Sequence, residues 1–309
     1  MQTGLLLSRS ACSMNLLDHL KFWFGPKATS FHDQPDSLTE NEKTRIQHYI
    51  KLNEPFSLSD ASPVNTVSHF KKTGYAYDWY RMFNRLDTRA CKFIFGDVSH
   101  ITDEPSFCKS RPITQNNVNN VLLPLNTVRH LQFVNDPTPF DRKKNQAVWR
   151  GAAYKPNRIE FLNRTAEIQT CNTADTSRLQ KSSLLGRPIH FMSIPKQLQY
   201  KFVFAIEGND VATNLKWAMS SKSAVIMPKP TKETWFCESY LEPNRHFIEI
   251  KSDYSDLEEV LEYFLSHPRE AIEITQEANN YCEPYKDLNR QFHLGRLVAE
   301  RYFSLVRDT

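Results

Sequence analysis

The sequence predicts an α/β protein built on a doubly wound parallel sheet, and two observations carry this prediction. Residues Tyr200 to Pro230 form a strand pattern that ends at Gly208, a helical spacing of Val211, Leu215 and Met219, and a second apolar strand closed by two prolines. This order is typical of two parallel strands joined by a crossover helix. From about residue 186 onward, strand and helix patterns keep alternating, which favours a sheet with helices on both faces.

Length and composition exclude several classes of protein. With 309 residues the chain can form one large domain or two modest ones, each able to bury its own core. Only eight glycines occur, and neither GxGxxG nor GxxxxGK(S/T) is present, which argues against nicotinamide fingerprints and P-loops. A net charge of +4 is too small for binding through counterion release, so we expect no nucleic-acid partner. The six cysteines are scattered without a CxxC pair, which argues against a zinc site and indicates a reducing compartment.

The sequence also bears on location. The apolar run Leu5–Leu7 is too short for a signal peptide, and no run approaches the length of a membrane span, so we expect a cytoplasmic protein. Residues Leu16–Phe24 predict a short amphipathic helix. Its apolar side either packs on the body of the protein or rests on a membrane surface.

The remaining elements are assigned from periodicity, caps and β-branched runs. The predicted helices are Thr39–Leu52 with a capping box to Glu42, Tyr75–Leu86, Glu233–Leu241, Asp256–Ser266, a helix opening at Pro268, and Leu288–Val306. The predicted strands are Cys91–Phe95, Val121–Leu125, Leu131–Val134, Ala147–Trp149 and His246–Ile250. Residues Cys171–Ser183 are polar and unpatterned, which is typical of a linker or an exposed loop.

The turn after the strand at Tyr200 is the first candidate site. Polar and small residues crowd it, namely Glu207, Gly208, Asn209, Asp210, Thr213 and Asn214. Such a turn lies at the carboxyl edge of a parallel sheet, where the free N–H groups of a following helix attract a phosphate. The alternative is an ordinary strand–helix corner, because every doubly wound protein has several.

Two further groups follow predicted strands. Asp97 comes just after the strand at Cys91–Phe95, at the edge of the sheet where catalytic groups gather. The alternative role for Asp97 is that of a turn cap. Arg150 at a strand end and Arg158 at a helix start offer two guanidiniums to a phosphate or a carboxylate. Surface ion pairing, which is worth little energy, is the alternative for both.

Four segments in this order resemble glycosyltransferase family 90. They read FGDVSH, VWRGAAYKPNR, EGNDVATNLKWAMSSKSAVIMPKPTKETWF and YSDLEEVLEYFLSHP. The resemblance covers residues from about 65 to 305, and the bacterial lipopolysaccharide branch of the family is more similar than the animal protein O-glucosyltransferases. It implies a GT-B fold, in which two Rossmann-like domains face each other across a cleft. It also implies an inverting reaction with a nucleotide-sugar donor, expected to be UDP-linked, and no cofactor.

The resemblance carries the family's site residues onto this chain. The general base falls on Asp97. The donor-contacting segment falls on Arg150, Gly151 and Ala152, with a further donor arginine at Arg158. The nucleotide-binding turn falls on Gly208, Asn209, Asp210, Val211, Ala212, Thr213 and Asn214.

Two positions depart from the animal pattern. Asn214 stands where an arginine contacts the diphosphate, so Lys216 or Arg158 is expected to supply the charge. Gly96 replaces the arginine before the base and leaves the base itself intact. Sugar choice is expected to involve Glu207, Glu233, Thr234 and Glu238.

The resemblance also implies a division of the chain. Residues 1–185 are expected to form an acceptor-side domain that carries the base, and residues 186–309 a donor domain whose last helix can pack back on the first. The expected acceptor is a hydroxyl of lipopolysaccharide core or another surface glycan, reached with peripheral contact at the inner membrane. The oligomeric state stays open.

The proposed displacement needs one base and a stabilised diphosphate. No Asp-x-Asp occurs in the chain, so we expect no metal. A noncatalytic sugar-nucleotide or lipopolysaccharide-binding protein with the same fold is the alternative. A hydrolase is disfavoured, because the sequence shows neither paired carboxylates placed for glycoside cleavage nor GxSxG.

Overall fold

Two parallel sheets and the helices around them form the protein, in a computed structural model that describes residues 37–67, 73–177 and 191–307. The mixed α/β class predicted from the sequence is therefore confirmed. The amphipathic helix predicted at Leu16–Phe24 lies outside the described residues.

Within the described residues the predicted helices form, except the one predicted at Glu233–Leu241. The helix bounds are α1 Glu40–Tyr49, α2 Thr73–Met82, α3 Thr127–His130, α4 Pro156–Thr165, α5 Ile194–Gln197, α6 Leu215–Met219, α7 Leu257–Ser266, α8 Pro268–Cys282 and α9 Leu288–Leu305. The predicted capping box is present, since Thr39 accepts a hydrogen bond from the Glu42 N–H and the Glu42 carboxylate accepts one from the Thr39 N–H. Within these residues, the helices are too short or too polar to cross a bilayer.

The strands form two parallel sheets and two antiparallel pairs. Their bounds are β1 Ser62–Pro63, β2 Ala90–Cys91, β3 Phe93–Ile94, β4 Ser106–Cys108, β5 Ser110–Pro112, β6 Asn120–Leu122, β7 Lys144–Gly151, β8 Cys171–Asp175, β9 Tyr200–Phe204, β10 Ala224–Met227, β11 Lys232–Thr234 and β12 Ile248–Glu249. Strand β1 pairs with β2, and β11 pairs with β5.

The larger sheet is five-stranded and parallel, in the order β12-β10-β9-β7-β8. Alternate residues of its strands enter two cores: Trp149 and Phe204 pack in one, and Val148 and Val203 in the other. Strands β7 and β8 precede residue 185, whereas β9, β10 and β12 follow it. The predicted division after residue 185 therefore falls within one sheet, because hydrogen bonds between β7 and β9 cross it.

The smaller sheet is three-stranded and parallel, in the order β3-β4-β6. Strand β5 comes after β4 of the smaller sheet, and β11 comes after β10 of the larger sheet. The antiparallel pairing of β5 with β11 therefore connects the two parts of the protein. The last helix, α9, packs on α1 and α2. From the same helix, Tyr302 contacts Phe107 of β4 at a ring-centroid distance of 4.2 Å.

Three predicted elements are wrong. Residues 131–134 form no strand and continue from α3 as a loop. Glu233–Leu241 is not one helix, since β11 takes its first residues to pair with β5 and only Glu238–Tyr240 makes a 3₁₀ turn. Strand β8 occupies part of the predicted linker Cys171–Ser183, because pairing with β7 extends a polar segment that local propensity leaves unassigned.

Candidate active site

A cavity of about 300 Å³ opens at the carboxyl ends of β9, β10 and β12. This edge is where ligands bind in parallel α/β sheets. Its walls come from the turn after β9, the loop after β10 and the segment after β12. The lining includes Asn157, Glu207, Gly208, Val211, Ala212, Leu215, Pro228, Lys229, Pro230, Thr231, Lys232, Glu238, Ser252 and Tyr254.

The turn after β9 differs from its prediction in one respect. Helix α6 begins at Leu215 rather than near Val211 and has five residues, so the long helix predicted to start near Val211 is not there. The polar residues favour turns instead: Gly208 N–H donates to the Asp210 carbonyl, and the Asn214 amide donates to Phe204 O at 2.8 Å. The backbone N–H groups of residues 209–214 find no acceptor among the residues that the structure describes. Of these residues, Val211 and Ala212 line the cavity, so backbone donors of the turn, rather than the start of α6, are available there to a ligand.

Arg158 supports this turn from below. It donates three hydrogen bonds to backbone carbonyls, namely those of Ala152 at 3.1 Å, Ile206 at 2.8 Å and Glu207 at 3.1 Å. A Cβ atom on Gly208 would lie 3.0 Å from the Arg158 guanidinium. Burial lowers the pKa of this arginine, while Tyr154, Tyr254 and Asp210 oppose the shift. Glycine at 208 therefore lets the charged group lie directly beneath the turn.

Arg150 lies elsewhere, on the face of the larger sheet. Its guanidinium donates to the backbone carbonyls of Trp149 and Asn172 and to the Asn172 side chain, at 2.7–2.8 Å. It does not line the cavity. Gly151 is required by packing, since a Cβ atom there would lie 2.5 Å from the Trp149 ring.

Asp97 meets the turn after β9 directly. It follows β3 and Gly96, whose φ of 128° favours glycine. Its Oδ2 accepts a hydrogen bond from the Asn209 side chain at 3.1 Å, and its Oδ1 lies 2.6 Å from the ammonium of Lys109. The same ammonium lies 2.7 Å from Asp210. The structure thus brings together the predicted base and two residues of the predicted donor turn.

The Asp97 side chain is 34% exposed. Burial alone would raise its pKa, but Lys109, with the hydrogen bond from Asn209, holds the pKa below the ordinary value. The carboxylate is therefore ionised at neutral pH, which is the state that a general base needs.

The other predicted residues divide into two groups. Glu207 and Glu238 line the cavity, and Glu207 accepts hydrogen bonds from the backbone and side chain of Thr231. Lys216 is buried and ion-paired with Glu238 rather than free for a ligand. Thr234 is buried and donates to the same Glu238.

Glu233 does not reach the cavity, contrary to its predicted contact with sugar. Its buried carboxylate lies 2.7 Å from Arg111 and 2.8 Å from His48, and it accepts a hydrogen bond from Ser239. Although burial acts in the other direction, these partners lower its pKa to about 2. It belongs to a buried ion pair between β5 and β11.

Several residues escaped the sequence reasoning. Lys109 is the most informative of them, since it lies between β4 and β5 with 1% of its side chain exposed. A lysine directly after the apolar pair Phe107–Cys108 is a weak signal that could have found it, because buried lysines are almost always paired. Lys229, Lys232 and Tyr254 were also missed, since their place in the cavity depends on which strand ends are neighbours.

The site combines backbone donors of the turn after β9, nearby lysines and the ionised carboxylate of Asp97. The described residues contain no group of three or more histidine, cysteine, aspartate or glutamate side chains that could hold a metal ion. This arrangement can bind an anionic ligand in the cavity and remove a proton beside it.

Comparisons with known proteins agree with that chemistry. The family model of glycosyl transferase family 90 matches residues 114–291. The O-glucosyltransferase LpsA of Dichelobacter nodosus is 38% identical over 287 residues, which cover 89% of this chain and 87% of that protein. Protein O-glucosyltransferase 2 of Danio rerio is 24% identical over 170 residues, covering 54% of this chain and 34% of that protein. The chain is therefore a glycosyltransferase, and it belongs to glycosyl transferase family 90.

Proposed function

We propose that this protein is an inverting, metal-independent glucosyltransferase of the GT-B type that moves glucose from a UDP-sugar to a hydroxyl of a surface glycan. The observation that supports the proposal is the hydrogen bond between Asp97, the proposed base, and Asn209 in the turn after β9, whose residues Gly208, Val211 and Ala212 line the cavity. The similarity to an O-glucosyltransferase over most of both chains favours glucose as the transferred sugar.

The cavity suits a nucleoside diphosphate. The free backbone N–H groups of residues 209–214 are donors for phosphate oxygens. Lys229 and Lys232 line the same cavity, and in this proposal they supply positive charge, with Lys232 shared between the ligand and Glu207 at 3.2 Å. Arg158 acts here by holding the turn in place. Tyr254 lines the cavity, and we assign its ring to contact with the nucleobase of the donor. In this proposal the diphosphate is bound by backbone N–H groups of the turn after β9 and by the neighbouring lysines.

The reaction is a single displacement at the anomeric carbon. Asp97 takes the proton of the acceptor hydroxyl as its oxygen forms the new bond to that carbon. The bond from the carbon to the diphosphate oxygen breaks, and the diphosphate leaves with the electron pair. The backbone donors and lysines stabilise the developing charge, so the leaving group requires no proton donor. Attack opposite to the leaving group inverts the anomeric configuration.

The acceptor is proposed from the family resemblance. A lipopolysaccharide or lipooligosaccharide core presents hydroxyls at the cytoplasmic face of the inner membrane, where nucleotide sugars are the available donors. We propose that the protein works there, in peripheral contact with the membrane. In this proposal the acceptor hydroxyl approaches Asp97 from the side of the smaller sheet.

A noncatalytic binding protein with the same fold is the second candidate. An ionised, partly exposed carboxylate beside the donor turn disfavours it, since a binder gains nothing from a base at that position.

The test is a donor screen with purified protein and truncated lipooligosaccharide. UDP-glucose should yield free UDP and a glucosylated acceptor with inverted configuration at the anomeric carbon, detected by NMR. Binding of UDP-glucose without turnover, with or without acceptor, would support the noncatalytic candidate instead.

A further inference from the structure

Lys109 links three groups that belong to different parts of the chain. Its ammonium lies 2.6 Å from Asp97 after β3, 2.7 Å from Asp210 after β9, and 3.3 Å from Nε2 of His130 at the end of α3. An ammonium has three N–H donors. The ammonium is within hydrogen-bonding distance of Asp97 and His130 and forms an ion pair with Asp210, and its side chain is 1% exposed.

The neighbours of Lys109 fix its charge. Burial alone would lower its pKa, but Asp210, Tyr75 and Asp97 raise it above the ordinary value. His130 stays neutral, because burial and the nearby cation hold its pKa well below the usual range. Its Nε2 therefore accepts the hydrogen bond from Lys109. The cluster keeps one fixed cation between two carboxylates.

We propose that Lys109 is a positioning residue for the transfer reaction, which fixes the orientation of Asp97 and aligns it with the donor turn through Asp210. This inference rests on the proposed function. One oxygen of Asp97 is committed to Lys109 and the other to Asn209, so the carboxylate cannot rotate freely. Each carboxylate oxygen has a second lone pair, which leaves Oδ2 able to accept the proton of an incoming hydroxyl.

The contact also couples the two sides of the site. Asp97 follows the smaller sheet, and Asp210 follows a strand of the larger sheet. A single buried ammonium between them makes the position of the base depend on the position of the turn that binds the donor. Asp97 is aligned only while the turn after β9 is in place.

The inference predicts two shifts of opposite sign. Besides Lys109, the charged or titratable groups that face Asp97 are Asp210, Tyr75 and Arg129. Lys109→Met removes the cation, so the pKa of Asp97 should rise by about 1–3 units, the usual effect of a lost opposite charge at this range. Asp210→Asn removes a carboxylate from the same ammonium, so the pKa of Asp97 should fall. If Lys109 had only a packing role, neither substitution would shift the pKa of Asp97.

The experiment measures both the carboxyl and the reaction. The titration of Asp97 is followed by carboxyl ¹³C NMR, with its signal assigned by its loss in Asp97→Asn. The acid limb of kcat/KM with UDP-glucose and lipooligosaccharide is measured on the same variants. Lys143→Met is the matched control, since Lys143 is also a buried lysine paired with an aspartate, Asp136, at 2.6 Å. Lys143→Met should shift neither the titration of Asp97 nor the acid limb. Lys109→Arg keeps the positive charge, so its acid limb should lie closer to that of the wild type than the acid limb of Lys109→Met does.

An unshifted Asp97 titration in a folded Lys109→Met variant overturns the inference, and so does an unshifted acid limb. If that variant does not fold, Asp210→Asn provides the test. A lower apparent pKa for the acid limb of kcat/KM supports the inference, and an unchanged or higher one overturns it. The NMR titration needs no turnover. Absence of transfer by the wild-type protein would therefore count against the proposed function alone, while an absent NMR shift counts against the role of Lys109.

Discussion

The side-chain amide of Asn209 donates a hydrogen bond to Oδ2 of Asp97 at 3.1 Å, across 112 positions of the chain. Asn209 belongs to the turn that forms one wall of the cavity, and Asp97 follows the first strand of the smaller sheet. The bond thus joins the proposed base to the turn that we propose binds the donor. It also limits the direction in which an acceptor hydroxyl can approach, since only the remaining lone pairs of the carboxylate are free.

The first prediction concerns this carboxylate. Asp97→Asn keeps the shape of the side chain and removes the proton acceptor, so transfer of glucose should fall by roughly 10²- to 10⁴-fold. Binding of UDP, measured by calorimetry, should survive. Asp103→Asn, an exposed aspartate in the loop that follows, is the control and should transfer normally. Near-normal transfer by Asp97→Asn would remove it from the mechanism.

The second prediction concerns Arg158 and Gly208. Arg158→Met should weaken UDP binding by about ten- to a hundredfold, because the turn loses hydrogen bonds from a charged group to its carbonyls. Gly208→Ala should weaken binding less, since its Cβ displaces the same guanidinium by a few tenths of an ångström.

These two substitutions act on one contact, so the double variant should bind UDP more tightly than the sum of the single effects predicts. Arg164→Met is the control, because Arg164 lies on the same helix, α4, in an exposed pair with Glu160. Strict additivity of the two losses would show that Gly208 and Arg158 act separately. Asn214→Ala, which removes one bond to Phe204, should have only a mild effect.

The third prediction concerns metal. We expect transfer from UDP-glucose to continue in excess chelator at an unchanged rate, because backbone donors and lysines are proposed to neutralise the diphosphate. The measurement is UDP release with and without chelator, followed by addition of magnesium or manganese. A strict requirement for either ion would refute the metal-independent mechanism.

The fourth prediction concerns stability. The pKa of Glu233 is lowered from 4.5 to about 2, so the folded state binds its proton less readily than the unfolded chain. The stabilising contribution of this group is present above about pH 4.5 and is lost as the pH falls toward 2. Glu233→Gln should lower the free energy of unfolding at neutral pH by about 3–5 kcal/mol, because Arg111 then stays buried without its charged partner.

Urea unfolding from pH 7 to pH 3 provides the measurement. The wild-type protein should lose stability below pH 4.5 more steeply than Glu233→Gln. Glu242→Gln is the control, since Glu242 forms an exposed pair with Arg245 that is worth little. An equal slope in wild type and Glu233→Gln would show that this carboxyl does not titrate differently on folding.

Local patterns predicted those parts of the fold that depend on neighbours in sequence. The capping box at Thr39 and the strands on either side of the turn at Gly208 are examples, since caps and apolar runs are visible within a few residues. The start of α6 was misplaced because the apolar spacing continues back to Val211, whereas the Asn214 amide hydrogen-bonds to the end of β9 instead.

The remainder depended on contacts between distant segments. Strand β11 forms because β5 pairs with it, and no periodicity at Lys232–Thr234 indicates that partner. Lys109 escaped notice for the same reason: its two aspartate partners, Asp97 and Asp210, come from different strand ends. The resemblance indicated Asp97 and the turn, but only the folded chain places them at hydrogen-bonding distance.

The order of strands in the larger sheet also determines how the polypeptide could be divided. Strands β7 and β9 are central neighbours, yet they lie on opposite sides of residue 185. A gene split at that point would give two fragments, each presenting an unpaired edge of apolar strand that favours aggregation. Produced together, the same fragments have complementary edges and could recover an intact sheet. The sheet thus makes this protein a candidate for split-fragment complementation, with the recovered enzyme reporting that the two halves have met.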